Sequence, residues 1–335
     1  TLDAFIDGMI RIAEEAKADK QLLKQAPHDT PVRRLDDVRA VKDAIFKYNG
    51  FATCVVGGMH LPRIVFICFM SSDLIIIGAG PGGYEMAVEA AAKGLSVTIF
   101  EENKPGGTCL NEGCIPTKAL CRNAEIADTL RHAGEFGFTG IVNGIDFQAI
   151  QSRKQAVVEQ LVAGVEGLLS KPNITLIKAH AAFQDARSVV ANGETYTAPH
   201  IVIATGSESR LLPVPGINLP SVLTSREMLN IDHLPKHLCV IGAGVIGLEF
   251  ASIFHRLGRE VTMVEFAKEI LPPFDSDIAK RLRLSLTKSG IAINLSAGVT
   301  AIEQTTDGLR VVFEQKGKQL ETIADTVLMA VGRGA

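Results

Sequence analysis

The sequence has no basic run. Its 335 residues carry 34 Lys and Arg against 37 Asp and Glu, a net charge of −3. A protein that grips phosphodiester backbones concentrates Lys and Arg on one face, so nucleic acid is not an expected partner. Cysteine is sparse as well, at six residues. That is too few for a secreted scaffold stapled by disulfides, and the pattern reads as a reducing compartment, the cytoplasm. No signal peptide is apparent at the start. No CxxC spacing with further ligands is found, so no metal site is expected. Residues 51–70 are apolar, but His60, Pro62 and Arg63 interrupt them. A spanning helix wants about 20 predominantly apolar residues, so no membrane span is expected. A chain of this length should form about two domains, each burying its own core.

What the chain does contain is a repeat. Leu74–Ile77 reads as a buried strand, Gly78-Ala79-Gly80-Pro81-Gly82-Gly83 as a tight turn, and Tyr84–Lys93 as a helix. Leu95–Phe100 follows as a strand closed by Glu101, 23 positions after Gly78. Glycines in this setting let the backbone approach a pyrophosphate at a helix N-terminus, and the acid accepts from ribose hydroxyls. Residues 237–265 repeat the pattern: strand Leu238–Ile241, turn Gly242-Ala243-Gly244-Val245-Ile246-Gly247, helix Leu248–Leu257, strand Glu260–Val264, then Glu265. An acid at position 265 repels a 2′-phosphate and bonds a free 2′-hydroxyl, so NAD rather than NADP is expected there. The fold class that follows is α/β, with two Rossmann-like dinucleotide-binding domains and two dinucleotides held at once.

Between the repeats lies Gly106-Gly107-Thr108-Cys109-Leu110-Asn111-Glu112-Gly113-Cys114-Ile115-Pro116-Thr117-Lys118-Ala119-Leu120. It reads as a thiol pair at the mouth of a helix, whose partial positive charge favours a thiolate. On a regular helix, positions five apart lie roughly 8–9 Å from Cα to Cα, too far for a disulfide. A bridge would require a distorted first turn. Two buried structural cysteines are the alternative reading.

This stretch resembles the redox segment of the pyridine nucleotide–disulfide oxidoreductases, and within them the dihydrolipoamide dehydrogenase group. Both cysteines, the Asn-Glu-Gly between them and the Ile-Pro-Thr-Lys-Ala-Leu after them carry the likeness. The resemblance implies a reversible Cys109–Cys114 disulfide, with Cys109 the interchange thiol and Cys114 beside the flavin. It implies FAD on the first repeat and NAD on the second. Lys118 would reach the flavin edge with Glu249 as its ion-pair partner, the four residues forming the catalytic set. Gly107, Thr108, Ala181, Thr205 and Gly206 would add to the flavin site. Val299 and Gly332 would border the NAD site.

The rest is coarser. Gly134–Phe138 reads as a loop and Asp146–Ser170 as a long helix ended by Pro172. Ile174–Phe183 and Ser188–Thr197 read as strands of a small antiparallel insert, and His200–Gly206 as a buried strand ending in Ala-Thr-Gly. Pro213, Pro215, Gly216 and Pro220 mark a linker. Asp275–Ser289 reads as a helix, with strands at Ile291–Leu295, Gly298–Ile302, Leu309–Phe313 and Thr326–Arg333. The division expected is 71–221 for FAD and 222–335 for NAD.

Residues 1–50 read differently, as an amphipathic helix followed by a polar, proline-containing segment. They resemble the C-terminal end of subunit 2 of glycine dehydrogenase (decarboxylating). No pyridoxal-phosphate lysine segment is recognisable, so no decarboxylase activity is assigned. Residues 51–70 then read as a junction between two neighbouring reading frames. The family resembled continues past the equivalent of Ala335 with a second flavin-contacting segment and a dimerisation domain. That domain supplies a His–Glu pair to the partner subunit. Neither is in the sequence, so a C-terminal truncation is expected, and His233 and His255 are read as solvated or capping residues.

The expected function is therefore NAD-dependent oxidation of a protein-bound dihydrolipoamide, with a lipoyl-bearing protein as partner and a homodimer as the family's assembly. The alternatives are an FAD- and NAD-binding protein without turnover, a disulfide reductase of the glutathione or mercuric reductase type, and an interaction protein of the glycine-cleavage complex.

Overall fold

The computed structural model describes residues 70–139 and 144–335. The expectations for the 1–50 tail and for the junction before Met70 lie outside the described residues. The chain forms two compact units that interleave along the sequence. The first takes Glu85–Glu102, Lys171–Ile203 and the described residues up to Ile77. The second takes Gly78–Tyr84, Asn103–Ser170 and Ala204–Ala335. This differs from the sequential division at residues 221 and 222, because the first glycine turn and the whole cysteine segment fall in the second unit.

In the first unit, β1 (Met70–Ser71), β2 (Leu74–Ile77), β3 (Val97–Glu101), β4 (Ile174–Lys178), β5 (Ala182–Asp185), β6 (Ser188–Ala191), β7 (Glu194–Thr197) and β8 (His200–Ile203) form two sheets. One is parallel throughout, in the order β4-β3-β2-β8, with Leu74 opposite Val97 and His200. Every residue of β2 is buried, which a run of Leu-Ile-Ile-Ile allows only where both faces are covered. The other sheet runs β1-β7-β6-β5. Its Tyr196 meets Phe100 of the parallel sheet edge-on, with ring centroids 5.0 Å apart.

Two expectations are corrected here. Ile174–Lys178 does not belong to the antiparallel insert: it extends the parallel sheet beside β3. The strand at His200–Ile203 is only half-buried, and Ile203 is 66% exposed. Helix α1 (Pro81–Ala92) follows β2, its residues from Glu85 belonging to this unit.

The second unit contains α2 (Gly107–Glu112), α3 (Cys114–Arg131), α4 (Phe147–Leu169), α5 (Ser225–Met228), α6 (Val245–Arg256) and α7 (Ser276–Ser289). The Gly134–Phe138 segment, expected as loop, overlaps a short 3-10 turn at Ala133–Phe136. Asp146 caps α4 by accepting from Ala149 N–H, and Asp275 caps α7 the same way from Asp277 and Ile278, so each helix starts one residue later than its reading from sequence.

Strands β9 (Glu208–Ser209), β10 (Val222–Leu223), β11 (His237–Ile241), β12 (Glu260–Val264), β13 (Ala292–Asn294), β14 (Ala297–Thr305), β15 (Gly308–Gln315), β16 (Lys318–Ala324), β17 (Thr326–Met329) and β18 (Arg333–Gly334) complete the unit. A five-stranded parallel sheet has the order β10-β17-β11-β12-β13. An antiparallel sheet β14-β15-β16 stands beside it, and β18 pairs with β9. Leu120 and Ala124 of α3 share one buried cluster with Phe250 and Phe254 of α6. That shared core fixes the cysteine-bearing helix against the helix of the second repeat.

Candidate active site

The first glycine turn and the cysteine segment touch through backbone. An added Cβ at Gly107, whose φ is +58°, would lie 2.6 Å from Gly80 Cα. Gly106 N–H donates to Ala79 O at 2.8 Å. Only hydrogen at these positions allows so close an approach. Asn111, between the cysteines, donates its side-chain amide to Pro105 O at 3.0 Å and Gly107 O at 3.1 Å, so it ties the loop onto α2.

The distortion a Cys109–Cys114 bridge would need is present. Helix α2 stops at Glu112, α3 starts at Cys114, and Gly113 between them has φ −146° and ψ −113°. A Cβ at Gly113 would sit 2.9 Å from Thr108 O. Cys109 and Cys114 stand here as thiols joined by a hydrogen bond between their side chains. This is the reduced partner of the reversible disulfide that the resemblance implies.

A correction concerns Cys109. The helix start was expected to favour its thiolate, but burial pushes its pKa above the ordinary thiol range. The neighbouring Cys114 adds to this, and the Lys118 charge offsets only part of it. Desolvation of the charged form outweighs the field of a helix barely more than one turn long.

Lys118 and Glu249, on α3 and α6, form an ion pair with Nζ 2.6 Å from Oε1. The hydrogen bond to Glu249 holds the Lys118 ammonium pKa above its usual value. Cys121, one turn further along α3, is half-buried and its thiol is likewise pushed up, first by burial. Glu112 pairs with Arg226 of α5 at 2.6 Å, a link between the cysteine segment and α5 that sequence reading missed. No local pattern announces a pair more than one hundred positions apart.

The second turn repeats the first in detail. An added Cβ at Gly78 would lie 2.4 Å from Ala204 O, and one at Gly242 would lie 2.4 Å from Ala330 O. Ala204-Thr205-Gly206 and Ala330-Val331-Gly332 therefore occupy equivalent positions behind the two turns. Their shared Ala-x-Gly was the available signal for this equivalence. Thr205, Gly206 and Gly332 are exposed. Gly247 is packed, with Gly242 O 2.1 Å from an added Cβ, whereas Gly244 has nothing within 4 Å.

Glu265 is buried, and its two carboxylate oxygens accept from Ala243 N–H at 2.5 Å and Ala267 N–H at 2.6 Å. It therefore ties the end of β12 to the glycine turn. Val245 is exposed and Ile246 half-buried at the start of α6. Val299, on β14, packs partly against the neighbouring apolar cluster. Glu101 and Ala181 belong to the first unit, where the Glu101 carbonyl accepts from Ala179 N–H at 3.0 Å. Outside the glycine turns, His255 Nε2 lies 2.8 Å from Ser289 O and His233 Nδ1 lies 2.5 Å from its neighbour Asp232, so both have local partners. Among the described residues no His, Cys, Asp and Glu group could hold a metal. No described helix is long and apolar enough to cross a membrane.

Residues 72–335 match the family model described as pyridine nucleotide-disulphide oxidoreductase. The chain belongs to this family. Similar curated proteins include a dihydrolipoyl dehydrogenase from Bacillus subtilis, 39% identical over 78% of this chain and 58% of its own length. One from Thermus scotoductus is 42% identical over 78% and 57%. A third, from Acholeplasma laidlawii, is 38% identical and is matched over 79% of its length. Among solved structures, an HOCl-induced flavoprotein disulfide reductase from Escherichia coli superposes with a TM-score of 0.68 at 34% identity, over 78% of this chain and 57% of that one. The chain thus spans a little over half the length of most of these relatives.

Pyridine nucleotide-disulphide oxidoreductases use FAD and NAD(P). The residues present fit such groups. Added Cβ atoms at Gly82 and Gly244 would enter open space at the N-termini of α1 and α6. A pyrophosphate needs that space kept free of side chains.

Proposed function

We propose that this chain is the nucleotide-binding and redox part of a dihydrolipoamide dehydrogenase. It would oxidise a protein-bound dihydrolipoamide and deliver the electrons to NAD+. The observation that carries the reading is the hydrogen-bonded Cys109–Cys114 pair at a break between two helices, in backbone contact with a dinucleotide turn. The sequence likeness to three dihydrolipoyl dehydrogenases supports the lipoamide substrate over glutathione or mercuric ions.

In the oxidised state the two cysteines are joined by a disulfide. A substrate thiolate attacks Cys109 Sγ, the Cys109–Cys114 bond breaks, and Cys114 leaves as the thiolate. The second substrate thiol then displaces Cys109, closing the substrate's own disulfide. Bound FAD would supply a two-electron acceptor for the thiol couple and a hydride donor for the pyridine nucleotide. Lys118, held by Glu249, places a positive charge one turn from Cys114, where it stabilises the thiolate. Glu101 would hold the flavin nucleotide's ribose, with Gly78, Gly80, Pro81, Gly82, Gly83, Gly107, Thr108, Ala181, Thr205 and Gly206 as the rest of that site. Glu265 would hold the ribose of NAD, with Gly242, Gly244, Val245, Ile246, Gly247, Val299 and Gly332 around it. The two parallel sheets are then two Rossmann-like units. A cytoplasmic location, a lipoyl-bearing partner and a homodimeric assembly belong to the same proposal.

The test is turnover of dihydrolipoamide with NAD+ against glutathione disulfide with NADPH. Activity with the first substrate pair supports the proposal, and a preference for the second replaces it with the reductase reading. Flavin binding with neither activity favours a nucleotide-binding protein without turnover.

A further inference from the structure

We propose that Arg226 is a positioning residue for the thiol pair: it masks the Glu112 carboxylate, whose charge would otherwise fall on the Cys109 and Cys114 thiolates. This rests on reading the two cysteines as the working redox pair. It goes beyond that reading by naming what sets their readiness to ionise.

Glu112 ends α2, three positions after Cys109 and two before Cys114. Positions three apart on a helix put their Cβ atoms about 5–6 Å from each other, so Cys109 and Glu112 share a face. A bare carboxylate at that range disfavours a thiolate. Arg226 answers it, with Nε 2.6 Å from Glu112 Oε2. The pair is too open to solvent to add much to folding, since 58% of the Arg226 side chain and 32% of the Glu112 side chain are exposed. Its charge balance is what remains. With the pair intact, the Cys109 thiol responds to burial, to Cys114 and to Lys118.

The fold holds Arg226 from both ends of α5. At the start, Thr224 N–H donates to Glu227 Oε2 at 2.7 Å within a capping box. At the end, the buried Lys154 donates to Leu229 O at 2.6 Å. A helix of four residues has little hold of its own, so these ties fix where Arg226 stands. The neighbouring cations are committed elsewhere. Arg333 lines the same cleft as Glu112 and Arg226, but its guanidinium donates to Ser207 and Ser209. Lys118 is held by Glu249, and Arg153 of α4 donates to Ala119 O. Lys104 on the loop before α2, and Glu208 and Glu227 at the cleft, keep their charges in every variant below, so they cancel from the comparison. The masked charge matters for Cys114 too, because substrate attack frees it as a thiolate.

The experiment follows alkylation of Cys109 by iodoacetamide against pH in the reduced full chain, read site by site by mass spectrometry. Arg226→Gln uncovers Glu112 and should raise the midpoint by on the order of half a pH unit. Glu112→Gln uncovers Arg226 and should lower it by a similar step. The double variant should return to the native midpoint, and Arg226→Lys should keep it. Both single shifts should shrink in about 1 M salt, where charges are screened within about 3 Å. A pair that only held the fold together would move both single variants the same way, and that result overturns the proposal. An unchanged midpoint in either single variant, or shifts undiminished by salt, overturns it as well. The readout needs no turnover. Opposite shifts in a chain inactive towards dihydrolipoamide leave the masking standing while the lipoamide reading fails, and shifts of one sign in an active chain do the reverse.

Discussion

Lys118 Nζ stands 2.6 Å from Glu249 Oε1, although the residues are 131 positions apart and sit on different helices. Lys118 is mostly exposed in this pair, so the contact adds little to folding stability. Its weight lies in where it holds a positive charge. Glu249→Gln should leave the unfolding free energy within about 1 kcal/mol. It should lower dihydrolipoamide turnover on the order of a hundredfold by releasing a positioned group. The hydrogen bond raises the Lys118 pKa, so its loss should also shift the alkaline limb of the activity profile to lower pH. Steady-state rates against pH, beside a thermal melt, check both halves.

Gly113 sets the distance between the two cysteines. Gly113→Ala would push a Cβ against Thr108 O at 2.9 Å and Cys109 Cα at 3.3 Å. Backbone must shift, at a cost of about 1–3 kcal/mol. Thiol titration after mild oxidation should find Cys109 and Cys114 still free in the variant, where the native chain closes them.

The two glycines of the second turn should fail in different ways. Gly247→Ala meets Gly242 O at 2.1 Å and should cost stability, seen as a lowered thermal midpoint. Gly244→Ala meets nothing within 4 Å and should fold normally. It should nevertheless lose dinucleotide affinity in a calorimetric titration, because the methyl fills space reserved for the pyrophosphate.

Burial holds the Cys109 thiol above the usual range, so its thiolate is scarce at neutral pH in the dithiol form. Alkylation of Cys109, followed site by site by mass spectrometry, should rise with pH through a midpoint above that of a free thiol. The sign follows from desolvation, which disfavours the charged form of an acid. A midpoint below the ordinary thiol value would show the helix field winning instead.

Much of this arrangement was legible in the sequence. Leu74–Ile77 and Leu238–Ile241 are continuous apolar runs ahead of glycine turns, so strand, turn and helix could be read in register. The Lys118–Glu249 partnership came through resemblance, since no local rule links positions 131 apart. Strand β4 was assigned to the wrong sheet because Ile174–Lys178 carries no mark of which neighbour it will pair with. Strand β16 was missed because Lys318–Glu321 is exposed on both faces and carries Leu320 as its one apolar residue, which hides the period-two pattern. The break at Gly113 was anticipated only as a condition on bridging.

The central claim is that Cys109 and Cys114 exchange electrons with a flavin. The direct measurement is anaerobic titration of the purified, flavin-loaded protein with dihydrolipoamide, following absorbance and free thiols together. Two-electron reduction should produce a long-wavelength thiolate-to-flavin band and convert the enzyme disulfide into two protein thiols, counted after the lipoamide pair is removed, and Cys114→Ser should abolish the band. Bleaching of the flavin with no such band and no gain in protein thiols would contradict the claim.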